Sequence, residues 1–375
     1  MAARTILLLR RGRGTLLGSI LLGCTLVVGC RKSSAPLTIG AAGPWTEAYG
    51  AMAKRGLDLA VDEINAKGGI NGRHLNVVAR DDSGDGRVAA GIARDFVDDA
   101  NILAVAGHVN SGAMVAAAKV YDGHLAAVAT SVTSPDLSGI SPWVFRVTSS
   151  DSVNGADLAK FATSLGKKRA AILYENDSYG RGLTRSFERN FTGRIVSADP
   201  INPDSQNFEP YVAYYKRTAP DLVFVVSTEG AGIPFLEEAR RQKLDAALLG
   251  GDGWTGVVAD TAASEGAYVG APFSAEDPRP EAQRFVAAFK ARYDGLVPDG
   301  NAALEYDAVM LIADALRHGA TSRKAVRDYL ASLGPANPYH GVTGAIRFLP
   351  SGDPVGKSFV MTRVHAGTLL VAGAR

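Results

Sequence analysis

Short hydrophobic runs alternate with amphipathic segments along almost the whole chain. Runs such as residues 37–41 and 102–106 have no polar alternation, which is typical of strands that are covered by helices on both faces. The segments between them, such as residues 49–66, place apolar residues at helical spacing, and this one stops at a pair of glycines. The alternation therefore predicts parallel β/α units.

The units form two series, each long enough for one lobe. In the first series we predict strands at 37–41, 75–80, 102–106 and 125–129 and helices at 49–66, 88–98 and 112–121. In the second we predict strands at 170–174, 194–198, 222–226, 246–249 and 268–271 and helices at 153–164, 183–190, 208–217 and 234–242. Since one sheet seldom grows this wide, the fold class predicted is α/β with two doubly wound parallel-sheet lobes.

The remaining segments predict how the lobes are connected. Residues 280–332 are almost purely helical, and helices without strands of their own must pack on an existing lobe. We therefore expect an N-terminal lobe of residues 37–148 and 273–337 and a C-terminal lobe of residues 149–272 and 338–375. Three crossings between them predict a hinge with a cleft between the lobes.

The first thirty residues have the layout of an export signal. Four arginines precede an uncharged run at 14–29 that ends in LVVGC. This pattern predicts a lipoprotein signal peptide at 1–29, a lipid on Cys30 and a tether at 30–36. Cys24, in LLGC, is a second candidate for the lipid, and an uncleaved membrane anchor is the alternative for the run. We expect an exported protein in the periplasm or on the cell surface, attached to the membrane only through its lipid.

Composition excludes several classes of function. Removing residues 1–29 changes the formal charge from +2 to −2, because that segment carries four arginines and no acidic residue. A near-neutral chain with mixed charges gives no support to nucleic-acid binding. Both cysteines lie in the first thirty residues, so no disulfide framework is expected afterwards. Without a Walker loop, a dinucleotide fingerprint or metal-ligand spacing among the six histidines, we predict no cofactor and no metal.

Candidate ligand contacts of the first lobe follow its predicted strands. Ligands of open α/β sheets gather at the carboxyl ends of strands. Ser111, in GHVNSGA, would begin a helix whose free N–H groups attract a carboxylate, and it also serves as a plausible cap. Ser131 and Thr133, in TSVTSPDL, follow the next strand, where ordinary turn chemistry is the alternative.

In the second lobe, the loop GGDGWTG carries Asp252 and Trp254 between glycines that let the backbone approach a ligand closely. An Asx turn is the alternative for Asp252, and a place over the core is the alternative for Trp254.

These motifs together carry a family resemblance. The blocks GAAGPWTEAYG, DEINAKGGINGRHLNVVARDDSGD, AGHVNSGA, TSVTSPDLS, YENDSYGRG and GGDGWTG occur in this order from residue 37 onward. In order and spacing they resemble the leucine/isoleucine/valine-binding protein family, the extracytoplasmic solute-binding subunits of ABC transporters. The resemblance implies the type I periplasmic binding fold, in which two lobes close on an amino acid or a similar small solute.

The resemblance also implies roles for individual residues. Ser111 and Thr133 align with groups that hold the ligand carboxylate, with help from the backbone near Ser131. Asp252 aligns with the acid that binds the ligand ammonium, and Tyr49 and Tyr179 align with walls of the cleft.

The chain departs from the family at Thr228 and Glu229, where branched-chain binders tend to carry aromatic residues. We count both as candidate ligand contacts. A hydroxyl and a carboxylate there make the pocket more polar or more anionic, so a polar or cationic amino acid, an amide or a short peptide is an alternative to leucine.

We therefore expect a monomeric, lipid-anchored binding protein, not an enzyme, that delivers an amino-acid-like ligand to an ABC permease and its ATPase. A receptor subunit that senses the ligand for a signalling partner is the main alternative. An envelope hydrolase is a further alternative, because His108 lies three residues before Ser111, although no nucleophile elbow surrounds this serine.

Overall fold

The structure, a computed structural model, describes residues 35–373. The predicted signal peptide, Cys24, Cys30 and most of the predicted tether lie outside the described residues, as do the last two residues of the predicted C-terminal lobe. The export and lipidation predictions therefore stay predictions.

The described elements follow the β/α alternation. The strands are β1 (Leu37–Gly43), β2 (Leu75–Asp81), β3 (Ile102–Gly107), β4 (Ala126–Ala129), β5 (Val144–Arg146), β6 (Arg169–Glu175), β7 (Arg194–Ile201), β8 (Leu222–Val226), β9 (Ala247–Gly250), β10 (Tyr268–Ala271), β11 (Tyr339–Gly341), β12 (Gly344–Ile346), β13 (Val360–His365) and β14 (Thr368–Val371). The helices are α1 (Ala48–Ala66), α2 (Gly86–Asp98), α3 (Ser111–Tyr121), α4 (Asp151–Ser164), α5 (Ser178–Asn190), α6 (Glu209–Thr218), α7 (Glu229–Arg241), α8 (Thr261–Ser264), α9 (Pro280–Arg292), α10 (Gly300–Arg317) and α11 (Arg323–Ser332). Two 3-10 segments, Pro135–Leu137 and Asp252–Ala259, follow β4 and β9.

The first sheet has five parallel strands in the order β2-β1-β3-β4-β5. Successive residues of β3 face opposite cores: Ala104 and Ala106 pack with α1, α9, α10 and α11, whereas Val105 packs with α2 and α3. Burial on both faces explains why these strands show no polar alternation. Strand β5 has only three residues and was not predicted, because so short a run carries no periodic signal.

The second sheet has seven strands in the order β14-β13-β10-β9-β8-β6-β7. Its five strands from β6 to β10 are parallel, as expected. At one edge, β13 and β14 add an antiparallel hairpin to these parallel strands. A tight turn at Ala366 and Gly367, both with positive φ, allows this hairpin and cannot be recognised from hydrophobic runs. The α/β fold class with parallel sheets in two lobes is confirmed.

The chain passes between the two sets of cores three times. Val147 belongs to a first-lobe core and Leu158 to a second-lobe core, and the return occurs between Val269 and Phe273. The third passage does not match the boundary expected after residue 337. Val342, Ile346 and Phe348 still pack in the first-lobe core, because the β11–β12 hairpin lies against α9 and α10. Phe359 is the first residue after them that packs in a second-lobe core.

Two helices, α5 and α7, begin earlier than the sequence predicts, and a side-chain cap sets the start of α5. The carboxylate of Asp177 accepts a hydrogen bond from the N–H of Gly180, so α5 begins at Ser178 instead of residue 183. Helix α7 begins at Glu229, whereas Pro234, which was expected to start it, lies inside the helix. This earlier start places Thr228 and Glu229 at the N-terminal end of α7.

No helix among residues 35–373 combines the length and the apolar character that crossing a membrane requires.

A buried carboxyl group in the central helix α10 makes stability depend on pH. Glu305 is fully buried, and neither carboxyl oxygen has a hydrogen-bond partner of normal geometry among the described residues. Burial raises the pKa of Glu305 to about 8, although the nearby Thr130 hydroxyl and the charge of Lys54 lower it. The folded protein thus binds this proton more tightly than the unfolded chain does. The resulting stabilisation is complete below the ordinary pKa of 4.5 and is lost as the pH rises through about 8.

Glu305→Gln removes this titration. Between about pH 5 and pH 8.5 we expect the free energy of unfolding of the unmodified protein to fall by roughly 2–4 kcal/mol more than that of the variant, as measured by denaturant titration. Glu188→Gln, at an exposed position of α5, is the matched control and should keep the original pH slope. Equal slopes in the unmodified protein and in Glu305→Gln would contradict the assignment.

Candidate functional site

Two of the predicted hydroxyl contacts lie close together at the carboxyl edge of the first sheet. Ser111 begins α3, and its Oγ accepts a hydrogen bond from the backbone N–H of Ser134 at 3.3 Å. Thr133 is fully buried, and its hydroxyl has no hydrogen-bond partner of normal geometry among the described residues. A buried hydroxyl without a partner is costly, so Thr133 stays a candidate ligand contact.

A buried arginine holds the turn that carries Thr133. Arg146 donates from Nη1 to the backbone carbonyls of Val132 at 3.2 Å and Ser134 at 2.8 Å. Its Nε donates to Oδ1 of Asp353 at 2.7 Å, so its charge is already paired. The hydrogen bonds from Arg146 hold the backbone of this turn in place at the edge of the sheet, where its hydroxyl groups lie.

Ser131 and Tyr49 complete the first-lobe side. The Ser131 hydroxyl donates to Oδ1 of Asn301 at 2.8 Å, so its side chain is committed and only its backbone stays a predicted ligand contact. Tyr49 lies in the first turn of α1, and its hydroxyl accepts a hydrogen bond from Nδ2 of Asn110 at 2.9 Å. Burial raises the pKa of Tyr49 well above its usual value, so the phenol stays neutral.

On the second-lobe side, Asp252 and Tyr179 lie together. Burial raises the pKa of Asp252 to about 7, although the nearby Tyr179 hydroxyl lowers it. That hydroxyl also accepts a hydrogen bond from the N–H of Gly253 at 3.2 Å. A Cβ at Gly251 would lie 2.7 Å from the Tyr179 hydroxyl oxygen, which explains the glycine before the aspartate. Oδ1 of Asp252 has no partner among the described residues.

Asp151, which the sequence reasoning missed, links the two sides. It is the first residue of α4, and its backbone N–H donates to the carbonyl of Thr133 at 2.8 Å. Burial raises the pKa of Asp151 well above its usual value, and the charge of Asp252 raises it further, while the nearby Thr133 hydroxyl lowers it. Oδ2 of Asp151 has no hydrogen-bond partner of normal geometry among the described residues. The only signal in the sequence was that Asp151 directly follows three hydroxyl residues, Thr148–Ser150, and this segment does not follow a predicted strand.

Glu175, at the end of β6, was also missed and accounts for Thr228. The N–H and hydroxyl of Thr228 both donate to Oε1 of Glu175 at 2.9 Å. The Thr228 side chain is therefore engaged within the protein, although it was predicted as a ligand contact. Burial raises the pKa of Glu175 to about 7.

Glu229 reaches across the cleft from the first turn of α7. Its carboxyl group interacts with the backbone N–H of Tyr49, at the N-terminal end of α1, where a helix favours negative charge. Burial raises the pKa of Glu229 to about 7, and the charges of Asp299 and Glu47 raise it further, against the lowering effect of that N–H. A Cβ at Gly256 would overlap the carboxyl group. Oε1 has no partner among the described residues.

Trp254 was predicted as a ligand contact, but the structure places it in the second-lobe core. Its side chain is completely buried, and its indole N–H donates to the Ser227 hydroxyl at 3.0 Å. Its ring packs against Gly232 and Gly250, where a Cβ would collide with it. The alternative from the sequence, a tryptophan that covers the core, therefore describes Trp254.

Contacts between the lobes lie close to the predicted ligand contacts. Ser134 and Ser178 place their hydroxyl oxygens 3.2 Å apart, and Nδ2 of Asn301 donates to the Thr255 hydroxyl at 3.4 Å. Together with the contact of Glu229 to the start of α1, these contacts bring Ser111, Thr133 and Tyr49 opposite Tyr179, Glu229 and Asp252. The structure is thus a closed arrangement of the two lobes.

The enclosed site is acidic. Asp151, Glu175, Glu229 and Asp252 are all at least nine-tenths buried. Within residues 35–373, none of the four forms an ion pair with lysine or arginine. A buried carboxylate without a cation is strongly unfavourable, which is why all four pKa values are raised.

The geometry around Ser111 gives no support to hydrolysis. Nδ1 of His108 lies 2.6 Å from Oδ2 of Asp82, and Nε2 lies 3.0 Å from the Tyr121 hydroxyl, so both ring nitrogens are engaged away from Ser111. A catalytic serine needs a base within hydrogen-bond reach. Among the described residues, no group of three or more His, Cys, Asp or Glu side chains is arranged to hold a metal ion.

Comparison with known proteins agrees with this architecture. A family model described as "Periplasmic binding protein" matches residues 36–368. The chain belongs to the periplasmic binding protein family. Within this family, the "Amino acid binding protein" of Pseudomonas aeruginosa is 28% identical over 356 residues, which cover 90% of this chain and 92% of that protein.

Two solved structures of substrate-binding proteins extend the comparison. The branched-chain amino acid transporter substrate binding protein LivJ from Streptococcus pneumoniae, in complex with isoleucine, has a TM-score of 0.83 and 27% identity and covers 89% of this chain and 97% of its own. An ABC transporter substrate-binding protein from Desulfitobacterium hafniense, in complex with Leu, has a TM-score of 0.76 and 32% identity. The match covers 90% of this chain and 99% of that chain. The resemblance to Leu/Ile/Val-binding proteins is confirmed, as is the expectation of a binding protein instead of an enzyme.

Proposed function

We propose that this protein is the lipid-anchored, monomeric solute-binding subunit of an ABC importer and that it binds an amino acid or an amino-acid-like molecule between its lobes. Its relatives are named as amino-acid-binding proteins, and the two solved structures hold isoleucine and leucine. Its partners in this proposal are the small ligand and the permease and ATPase subunits of the transporter.

One arrangement carries the proposal. The Thr133 hydroxyl of the first lobe, which has no hydrogen-bond partner of normal geometry among the described residues, lies near Asp151. Asp151 in turn lies near Asp252 of the second lobe, whose Oδ1 has no partner among those residues. A zwitterion matches this pair of walls: its carboxylate accepts from Thr133, Ser111 and the N-terminal N–H groups of α3, while its ammonium donates to Asp252. Both charged ends of an amino acid therefore find complementary groups, one end on each lobe.

The proposed mechanism is a shift between open and closed lobes. A ligand that contacts both walls binds the closed form better than the open form and raises its population. The neutral contacts between the lobes, such as Ser134 with Ser178, add little specificity of their own. Closure then presents the paired lobes to the permease, so that mainly the liganded protein is recognised.

Asp252→Asn tests the site. On the soluble protein from Lys32 onward, we expect an amino acid that stabilises the unmodified protein in thermal melts to bind this variant more weakly by about 1.5–3 kcal/mol in calorimetric titration, because an ionised hydrogen bond is lost. A true ligand at about 100 times its dissociation constant adds roughly 2.7 kcal/mol of stability, which is easily detected.

Asp245→Asn, at an exposed position of the same lobe, is the control and should leave the affinity unchanged. Unchanged affinity in Asp252→Asn would remove Asp252 from the site. Failure of every amino acid, amide and short peptide to stabilise the protein would contradict the proposed function.

Cys30→Ala tests the proposed anchor. In a bacterial host that labels lipoproteins with a fatty-acid probe, we expect the full chain to incorporate the probe and Cys30→Ala to lose it, because the thiol that receives the lipid is gone. Cys24→Ala is the matched control and should be labelled normally. Loss of the label in Cys24→Ala alone would move the anchor to that cysteine. Absence of the label from the unmodified full chain would contradict lipidation.

A further inference from the structure

We propose that the ligand is a basic amino acid and that Glu229 binds its positively charged side chain. The inference rests on the proposed function, because it assumes that an amino acid lies between the lobes. It deepens that function by naming the class of ligand and the residue that selects it.

The carboxyl groups of the site outnumber the cations that a neutral amino acid supplies. Such a ligand brings one ammonium group, which the proposed function assigns to Asp252 beside Asp151. Glu229 is at least nine-tenths buried and has an unpartnered Oε1, yet no lysine or arginine among the described residues is paired with it. A second positive group is therefore needed to offset the burial of this second carboxylate.

The 3-10 segment Asp252–Ala259 separates the two acidic positions. Asp252 begins this segment, and the Glu229 carboxyl group lies against Gly256, four residues later. With a rise of roughly 2 Å per residue, the two points are roughly 8 Å apart along the segment. A stem such as that of lysine, with about four carbons, is suited to carry a charge from one point toward the other.

The surroundings of Glu229 make it a selective partner. The N–H of Tyr49 interacts with the carboxyl group and fixes it across the cleft, while Oε1 stays free to accept from a ligand. Neighbouring acids, Asp299 and Glu47, add negative potential, and both raise the pKa of Glu229. A hydrocarbon side chain placed here leaves Oε1 unpartnered, so leucine-like ligands are disfavoured.

The test uses pairs of ligands that differ in one charge. We expect L-lysine to bind the unmodified protein about 10- to 100-fold more tightly than L-norleucine, and L-arginine to exceed L-citrulline by a similar factor, in calorimetric titrations at about pH 8. Glu229→Gln keeps the shape and an acceptor for the Tyr49 N–H. In this variant we expect the lysine-to-norleucine ratio to fall about tenfold or more, with norleucine affinity largely retained.

Glu237→Gln, at an exposed position of the same helix, is the control and should keep the original ratio. Equal affinity for lysine and norleucine in the unmodified protein would overturn the inference while leaving the proposed function intact. A preference for lysine that survives Glu229→Gln would overturn the role of Glu229. Binding of no amino acid at all would overturn the proposed function and this inference with it.

Discussion

The constraint that governs the cleft is the burial of carboxyl groups that no lysine or arginine of residues 35–373 pairs. Four different elements carry these acids, Asp151, Glu175, Glu229 and Asp252, and all four side chains are buried. Glu175 satisfies one oxygen through Thr228, but the other three acids each retain an unpartnered oxygen. In the proposed function, a positive ligand completes the closed form with ionised acids, and this requirement couples closure to binding.

The rest of the fold places these groups and keeps competing charges away. The two sheets bring hydroxyl and acidic side chains to their carboxyl edges, and the three passages of the chain let the edges face each other. The charge of Arg146 lowers the pKa of Asp151, but Asp353 and backbone carbonyls engage its guanidinium beneath the Thr133 turn. Arg146 therefore makes the turn rigid, while its ion pair is with Asp353 and not with the four buried acids. The N-terminal ends of α1 and α3 supply oriented N–H groups in place of positive side chains.

The sequence predicts the two lobes well because parallel strands buried on both faces produce uninterrupted apolar runs that are easy to recognise. Four candidate ligand contacts could be found in the same way, because they follow predicted strands: Ser111, Thr133, Tyr179 and Asp252. The family resemblance then implied their roles. Asp151 was missed because it follows the hinge segment. Glu175 directly follows the predicted strand at 170–174, but it was counted only as part of the YENDSYGRG block. Trp254 was misjudged because a tryptophan in a glycine-rich loop looks exposed, whereas Gly232 and Gly250 make room for it in the core. The late third passage depends on the β11–β12 hairpin, whose two three-residue strands have no periodic signal.

Proton release on ligand binding tests the central claim most directly. Glu229 and Asp252 have pKa values raised to about 7, so near that pH a fraction of them carries a proton in the unliganded protein. A bound cation favours the ionised carboxylates and lowers these pKa values. Calorimetric titration of the ligand near pH 7, in buffers of different ionisation enthalpy, should reveal a net release of protons. Proton uptake, or a binding enthalpy independent of the buffer, would contradict the account that the ligand's positive charge completes the buried acidic site.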